Sequence, residues 1–515
     1  MKDKITMFCL LNSLDLQRGG LTKASLMQAN TFASLGYKTY ILTFNFNPRY
    51  NTIIEQMVSL RKIDSRIQVL NMYQSLGEFD YSTLSKQPMM EIEKSKANGA
   101  VLDPHIGQPH SYRVYENGLY TKYFRLDKNE RLLFIDHFND QRYRVKREDY
   151  DEYGYARKVS FMDYERNKPR QMVFYNDTGE AFLSKWVNPQ NRLAFRVNLF
   201  QNRQLKEILS NDNELKTYWL EQVTSNYEYP VIISDARACD TLLLNLKSEH
   251  AVKIWRLHSN HLDMRGEVAS TVAPALNNLQ AFDVALALTK QQKEDIEGQF
   301  GTKDNLKAIP HAADQFADYN WFNPVKKENV AVVVTRFAAL KRIDHIIMAF
   351  KHVIARVPDA KLELWGYGDE EKNLKSLIRS ENLTANIKVM GFTQEPAVPY
   401  QRSLFSVMAS KTEGFPLSIF ESMSNGSPII SYNFKYGPND LIDNGENGWI
   451  VPNEDIQALA EKMIWMFENK KEAIKMGKKA IKKVKENFNM DLYAKQWIEV
   501  IEEAVKKKMQ NYIQQ

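Results

Sequence analysis

Cysteine is almost absent from this chain: Cys9 and Cys239 are the only two in 515 residues. Neither lies in a Cys-x-x-Cys pair or a Cys/His cluster, which excludes a disulfide scaffold and any readable structural zinc site. Two isolated thiols in apolar or mixed stretches fit a reduced compartment. Long hydrophobic runs are missing too. No window approaches 18 uninterrupted apolar residues, so no membrane-spanning helix is expected. The apolar stretch after Met1-Lys2-Asp3-Lys4 stops at Asn12 and has no small-residue cleavage site, so no signal peptide is expected and the chain reads as cytoplasmic. No repeat of solenoid length is apparent. What remains is ordinary globular usage, 43% hydrophobic and 26% charged, in a chain long enough for about three domains. Disordered, coiled-coil and collagen-like chains are excluded.

The formal charge of +6 is concentrated rather than spread. Between Lys470 and Glu486 stand eight lysines against Glu472 and Glu486, an excess equal to that of the whole chain. Helical spacing puts Ile474, Ile481, Val484 and Phe488 on one side of this segment. A solvated amphipathic surface helix is the plain reading. Peripheral contact with anionic lipid is the sharper one, because each lysine near such a surface contributes about 1 kcal/mol. Aromatic interleaving is missing there, so nucleic acid is not expected as a partner.

Along the chain, an α/β rhythm opens with a buried-strand pattern over 5–11, Gly19-Gly20, an apolar-periodic helix over 22–35 closed by Gly36, and a strand over 40–44. A strand, a Gly-rich turn and a helix place backbone N–H groups near an anion. From 111 to 186 the pattern becomes short aromatic and β-branched runs separated by turns, among them Asn117-Gly118, the strongest local hairpin signal. This stretch reads as a mostly antiparallel β-domain inserted into the first α/β domain. Its flanks, about 76–110 and 190–205, read as helical or irregular connectors. The α/β rhythm resumes at Pro230 and runs through strands over 252–257, 284–289 and 308–311. It continues with strands near 329–335, 361–365, 387–390, 405–408, 428–432 and 449–451, alternating with helices such as 341–357, 370–381, 417–425 and 456–468. Alternation of this kind implies parallel sheets with helices on both faces, whose ligands bind at the strands' carboxyl ends.

The residues that carry chemistry lie in the second α/β domain. Arg336 ends a strand and Lys341 opens the following helix, two cations beside a helix N-terminus that suit a diphosphate. Further on, Pro416 fits a first helical turn, which puts Glu413 just before the helix, the Leu417 and Ser418 amides at its start and Glu421 one turn further in. One carboxylate can then reach sugar hydroxyls and the other a ribose, while the amides meet phosphate. The segments Gly426-Ser427-Pro428 and Gly445-Glu446-Asn447-Gly448-Trp449 follow.

As a set, these features resemble the retaining two-domain (GT-B) nucleotide-sugar glycosyltransferases of family 4. The match includes Gly19-Gly20, Ile309-Pro310-His311-Ala312, Arg336 with Lys341, Gly366-Tyr367-Gly368 and the Glu-x7-Glu pair Glu413/Glu421. It implies an α/β GT-B fold, with two Rossmann-like domains facing a cleft and the β-domain inserted in the first. The expected boundaries are 1–75 with 206–315 for the N-terminal acceptor domain and 76–205 for the insertion. They continue with 316–490 for the nucleotide-sugar domain and 491–515 for a C-terminal helix packing back on the first domain. The resemblance further implies that Arg336 and Lys341 hold the donor diphosphate with the Leu417 and Ser418 amides and Gly20. Glu421 would take the ribose, Glu413 the donor sugar, and the backbone around Phe392 and Thr393 the nucleobase. His258 matches the family's first-domain histidine beside the transferred sugar, whereas His261 reads as a satisfied loop histidine. Such enzymes use cations and a helix dipole in place of a divalent metal, so neither metal nor other cofactor is expected. The one Asp-x-Asp, Asp149-Tyr150-Asp151, falls in the insertion and reads as a decoy.

The large insertion and the segment from Tyr432 to Ile442 narrow the resemblance to the wall teichoic acid α-glycosyltransferases. Those enzymes move α-glucose or α-N-acetylglucosamine from a UDP-sugar to poly(glycerol phosphate) or poly(ribitol phosphate) and commonly assemble as trimers. Relatives with the same insertion glycosylate Ser-rich or Ser-Asp repeat adhesins, and a catalytically silent scaffold subunit is a third reading. The residues do not separate glucose from N-acetylglucosamine, nor the two polyols from a protein acceptor.

Overall fold

A computed structural model of the chain describes residues 2–16, 20–85, 90–313, 316–317 and 328–513. The chain divides into two compact units, Met1–Val252 and Lys253–Gln515.

In the first unit four parallel strands, Tyr229–Ser234, Ile5–Leu11, Lys38–Thr43 and Gln68–Asn71, lie side by side in that order. All seven residues of Ile5–Leu11 are buried, as a central strand covered on both faces requires. The first helix is Gly20–Ser34, two residues ahead of the expected start, and Gly19 lies outside the described residues.

The rest of this unit is a ten-stranded antiparallel sheet running in strict chain order from Val101–Pro104 to Gln204–Leu209. Asn117 and Gly118, both at positive φ, make the two-residue turn that their sequence announces. The expected connectors are corrected here. Val101–Pro104, Ala194–Gln201 and Gln204–Leu209 are strands. The last two are joined by Asn202 and Arg203, both left-handed although neither is glycine. The outermost strand is exposed at five of its six positions and so carries no inside/outside alternation to read.

Both carboxylates of the Asp-x-Asp are ion-paired within the insertion. Asp151 and Arg157 form a fully buried ion pair at 2.6 Å, and Asp149 pairs with Lys158 at 2.9 Å. No group of three or more His, Cys, Asp or Glu that could hold a metal occurs among the described residues.

The second unit begins with parallel strands Val252–Arg256, Val284–Ala287 and Leu306–Ala308. The last of these ends before Pro310, short of the expected 308–311. A six-stranded parallel sheet follows, in the spatial order Ile387–Gly391, Lys361–Trp365, Val330–Val334, Phe405–Met408, Ile429–Tyr432, Gly448–Val451. Winding outward in both directions creates a switch point between Val330–Val334 and Phe405–Met408, where the loops leaving the two strands diverge and a ligand crevice forms. The helix Ile343–Arg356 buries Ile343, Ile346, Ile347, Phe350 and Val353, the stripe its 3.6-residue period dictates.

The lysine-rich segment is the helix Lys470–Asn487, which buries Ala473, Met476, Ala480, Ile481 and Val484. Four of its lysines face acids: Lys475 with Glu472, Lys479 with Glu446, Lys482 with Glu486 and Lys483 with Asp443. The terminal helix Met490–Ile513 lies against the strands Val252–Arg256 and Val284–Ala287 and the turn before the latter. There the buried Arg256 donates to the Tyr493 hydroxyl at 3.3 Å, and Lys508 pairs with Asp283 at 3.2 Å. No helix among the described residues is long and apolar enough to cross a membrane.

Candidate functional site

The switch point assembles most of the residues singled out in the second domain. Strand Val330–Val334 delivers Thr335 and Arg336, and strand Phe405–Met408 delivers the loop 409–416. Arg336 is exposed, and its side chain makes no hydrogen bond or ion pair among the described residues. Lys341 is ion-paired with Glu413, and both side chains are about four-fifths buried. The expected helix start at Lys341 is corrected. Lys341 closes a short 3₁₀ turn, Ala339–Lys341, and the α-helix begins at Ile343 after Arg342 in a left-handed conformation. Arg342 is held there by Asn453 at 3.0 Å and by Glu454. The ammonium of Lys341 is thereby aimed across the switch point at the glutamate loop rather than along a helix flank.

Pro416 is the residue before the helix Leu417–Ser424, one position earlier than expected. The Leu417 amide donates to the Phe415 carbonyl at 3.0 Å. The Ser418 hydroxyl donates to the Val334 carbonyl at 2.9 Å, fastening the helix start to the central strand. Glu421 is partly exposed one turn in, near the buried Tyr400, whose pKa burial and the Glu421 charge push well up.

Two exposed aromatic rings stand beside this corner. Tyr367 and Phe392 meet edge to face with centroids 5.6 Å apart, and Thr393 follows at the same strand end. Gly366 makes the approach possible: at φ +147° a Cβ there would sit 1.8 Å from the Thr335 carbonyl oxygen. This ring pair is the feature that sequence reading missed, because it valued the glycines and the backbone but not the side chains between them.

On the other side lies the loop after Val252–Arg256. His258 stacks on His311 with centroids 5.5 Å apart, and His311 meets Phe415 edge-on. Burial, with Arg256 and His258 nearby, drives the His311 pKa well below the ordinary imidazole value. His311 therefore presents a neutral ring to His258. The backbone at His258 is pressed against Gly414, where a Cβ would fall 2.2 Å from the His258 carbonyl oxygen. His258 and Glu413 are in this way set on two touching loops. Gly20 opens its helix in the first unit.

Residues 316–483 match the family described as Glycosyl transferases group 1. The chain is 25% identical over 497 residues to the poly(glycerol-phosphate) alpha-glucosyltransferase of Bacillus subtilis (strain 168), covering 93% of this chain and 72% of that protein. It is 24% identical over 513 residues to the poly(ribitol-phosphate) alpha-N-acetylglucosaminyltransferase of Staphylococcus aureus (strain COL), covering 95% and 98%. The fold matches a crystal structure of a mutant form of S. aureus TarM in complex with Fondaparinux, alpha-GlcNAc-glycerol and UDP. The TM-score is 0.84 at 22% identity, over 97% of this chain and 99% of that one. Residues 316–483, which span the switch point, thus carry a match to Glycosyl transferases group 1, and the chain is similar over nearly its whole length, in sequence and in fold, to poly(polyol phosphate) α-glycosyltransferases.

Proposed function

We propose that the protein transfers α-glucose or α-N-acetylglucosamine from a UDP-sugar to hydroxyls of a polyol-phosphate wall teichoic acid, with retention at the anomeric carbon. The observation that carries the reading is the pairing of Lys341 with Glu413 at the switch point, beside the exposed Arg336. A cation there suits a departing diphosphate, and a carboxylate suits the hydroxyls of the sugar leaving it. The acceptor class rests on the likeness to two polyol-phosphate enzymes, which extends through the insertion.

In this reading Arg336 and Lys341 neutralise the diphosphate, with the Ser418 amide at the helix start in support. Glu413 holds the donor sugar, Glu421 the ribose, and Thr393 with the Tyr367–Phe392 ring pair the nucleobase. His258 stands beside the transferred sugar. The bond between the anomeric carbon and the diphosphate oxygen breaks, its electron pair leaves with UDP, and the acceptor oxygen bonds to the same face. The acceptor proton passes to the departing phosphate. The roles of Arg336, Lys341 and the helix start call for no divalent metal, and Asp149 and Asp151 are already committed to Lys158 and Arg157. Catalysis takes place in the cytoplasm, and the chain assembles as a homo-oligomer, trimeric like the family it resembles. The exposed Leu193, Phe195, Leu205 and Ile208 near the outer edge of the ten-stranded sheet support assembly there.

The test is transfer from radiolabelled UDP-glucose and UDP-N-acetylglucosamine, each in the presence of chelator, to poly(glycerol phosphate), poly(ribitol phosphate) and a Ser-Asp repeat peptide. Label on a polyol phosphate is expected and names the sugar. Label confined to the peptide overturns the acceptor, and none anywhere overturns the enzyme reading. The ring pair adds a second expectation. Stacking contributes about 1–3 kcal/mol per base, so Tyr367→Ala with Phe392→Ala raises the donor KM roughly tenfold or more while kcat at saturation stays near wild type. An unchanged KM would place the base elsewhere.

A further inference from the structure

The glutamate loop is held by residues to which neither the sequence motifs nor the proposed chemistry gives a role. Glu413 donates its amide to the Lys435 carbonyl at 2.9 Å and accepts the Tyr436 amide on its own carbonyl at 2.9 Å. The Thr412 hydroxyl donates to the same Lys435 carbonyl at 3.0 Å and accepts from Asn260 at 2.6 Å. The main chain of Glu413 is therefore latched on both sides to one dipeptide and cannot shift without it.

That dipeptide is anchored in turn to the half of the unit that carries His258. Asp295, on the helix Lys290–Phe300, accepts from the Lys435 ammonium at 2.6 Å and from the Tyr436 hydroxyl at 2.7 Å. The His261 ring stacks on Tyr436 with centroids 5.8 Å apart, and its Nδ1 lies 3.3 Å from the hydroxyl. Tyr436 and His261 are essentially inaccessible to solvent. Burial would raise the Asp295 carboxyl, but the Lys435 and Tyr436 hydrogen bonds outweigh it and hold the pKa below the ordinary value. Burial and Asp295 push the Tyr436 hydroxyl up, so it stays a donor, while burial pushes the His261 imidazole down.

We propose that Asp295, Tyr436, Lys435 and His261 form a positioning latch that fixes Glu413 relative to His258, and with it the donor sugar relative to the attacking hydroxyl. The latch joins the helix Lys290–Phe300 to the loop after Ile429–Tyr432, so it sets the alignment of two parts of the second unit at the reacting centre. Arg336 arrives on another loop, and Lys341 meets the latched loop through its side-chain pair with Glu413, so the diphosphate site depends on the latch less than the sugar site does. The inference rests on Glu413 holding the donor sugar, as proposed above.

The experiment compares Tyr436→Phe, Asp295→Asn and Asp295→Ala with wild type and Glu413→Gln. The readouts are kcat at saturating UDP-sugar, the Kd of UDP by calorimetry and the melting temperature. Misplacing a reacting group by about 1 Å costs on the order of a hundredfold. Tyr436→Phe and Asp295→Ala are therefore expected to lose between about tenfold and a hundredfold in kcat, with the UDP Kd within about twofold of wild type. Asp295→Asn, which keeps an acceptor oxygen, recovers part of the loss. Wild-type kcat in Tyr436→Phe and Asp295→Ala overturns the latch. So does a UDP affinity that falls in step with kcat, or a loss that tracks the melting temperature, because either would mark a structural role only. Undiminished turnover in Glu413→Gln overturns the underlying sugar-site assignment instead, whatever the latch variants do.

Discussion

Lys341→Ala is expected to lower turnover at saturating UDP-sugar by about a hundredfold to a thousandfold, the cost of losing one preorganised group aimed at developing negative charge. Lys341 is placed for that work by the 3₁₀ turn before its helix and by the left-handed Arg342. Its removal also strips the four-fifths-buried Glu413 of its cation. Leaving a buried group without its partner costs about 1–3 kcal/mol and more when it is charged, so a lower melting temperature accompanies the loss. Two controls separate the effects. Lys341→Arg restores the charge and hence stability, but only part of the turnover, because a planar fork does not replace a compact ammonium. UDP-sugar hydrolysis without acceptor, measured per folded molecule, reports the donor site alone. Hydrolysis retained in Lys341→Ala and also in Glu413→Ala would undo the assignment of this corner to the donor.

The second large effect concerns stability and lies in the first unit. Asp151→Ala leaves Arg157 as an uncompensated charge among buried groups, both partners being at most 1% exposed. It also strips acceptors from the Tyr153 and Tyr155 amides, each 2.9 Å from Asp151 Oδ1. Breaking a buried pair from one side costs about 3–5 kcal/mol. For a unit of this size the melting temperature then falls by roughly 10 °C. Donor hydrolysis per folded molecule is expected to stay within about twofold of wild type. A metal-binding Asp-x-Asp would behave the other way, losing activity at constant stability, so the outcome decides whether this motif is a decoy. Replacing both partners together, Asp151→Leu with Arg157→Met, is expected to recover most of the stability, because well-packed apolar residues in place of a buried pair are often neutral or better.

The two halves of the chain differed in legibility for physical reasons. In the second unit, buried β-branched runs alternate with helices whose apolar stripe repeats every 3.6 residues. Apart from the strand expected over 308–311, the expected strands and helices there lie within a residue or two of those observed, as Lys361–Trp365 and Ile456–Glu468 illustrate. In the insertion, Asn117-Gly118 announced its hairpin. The Asn202-Arg203 turn did not, because it reaches the same left-handed geometry without glycine.

The candidate site divides along the same line. Arg336, Lys341, Glu413 and Glu421 were legible because the chemistry of a diphosphate and a sugar calls for cations and carboxylates at fixed offsets within one α/β unit. Asp295 was not, since a single acid on an ordinary surface helix carries no signal until a lysine and a tyrosine 140 and 141 residues away close on it.

The sequence by itself determined the local periods, the turn chemistry and the short motifs, all of which act over at most about a dozen residues. Only the tertiary structure decided which loops meet at the switch point, which carboxylate Lys341 faces, and which buried partner satisfies His261. Those outcomes depend on strand order and on close approaches such as Gly366 over Thr335 and Gly414 against His258. Such contacts are fixed by packing the whole domain, and no local pattern encodes them.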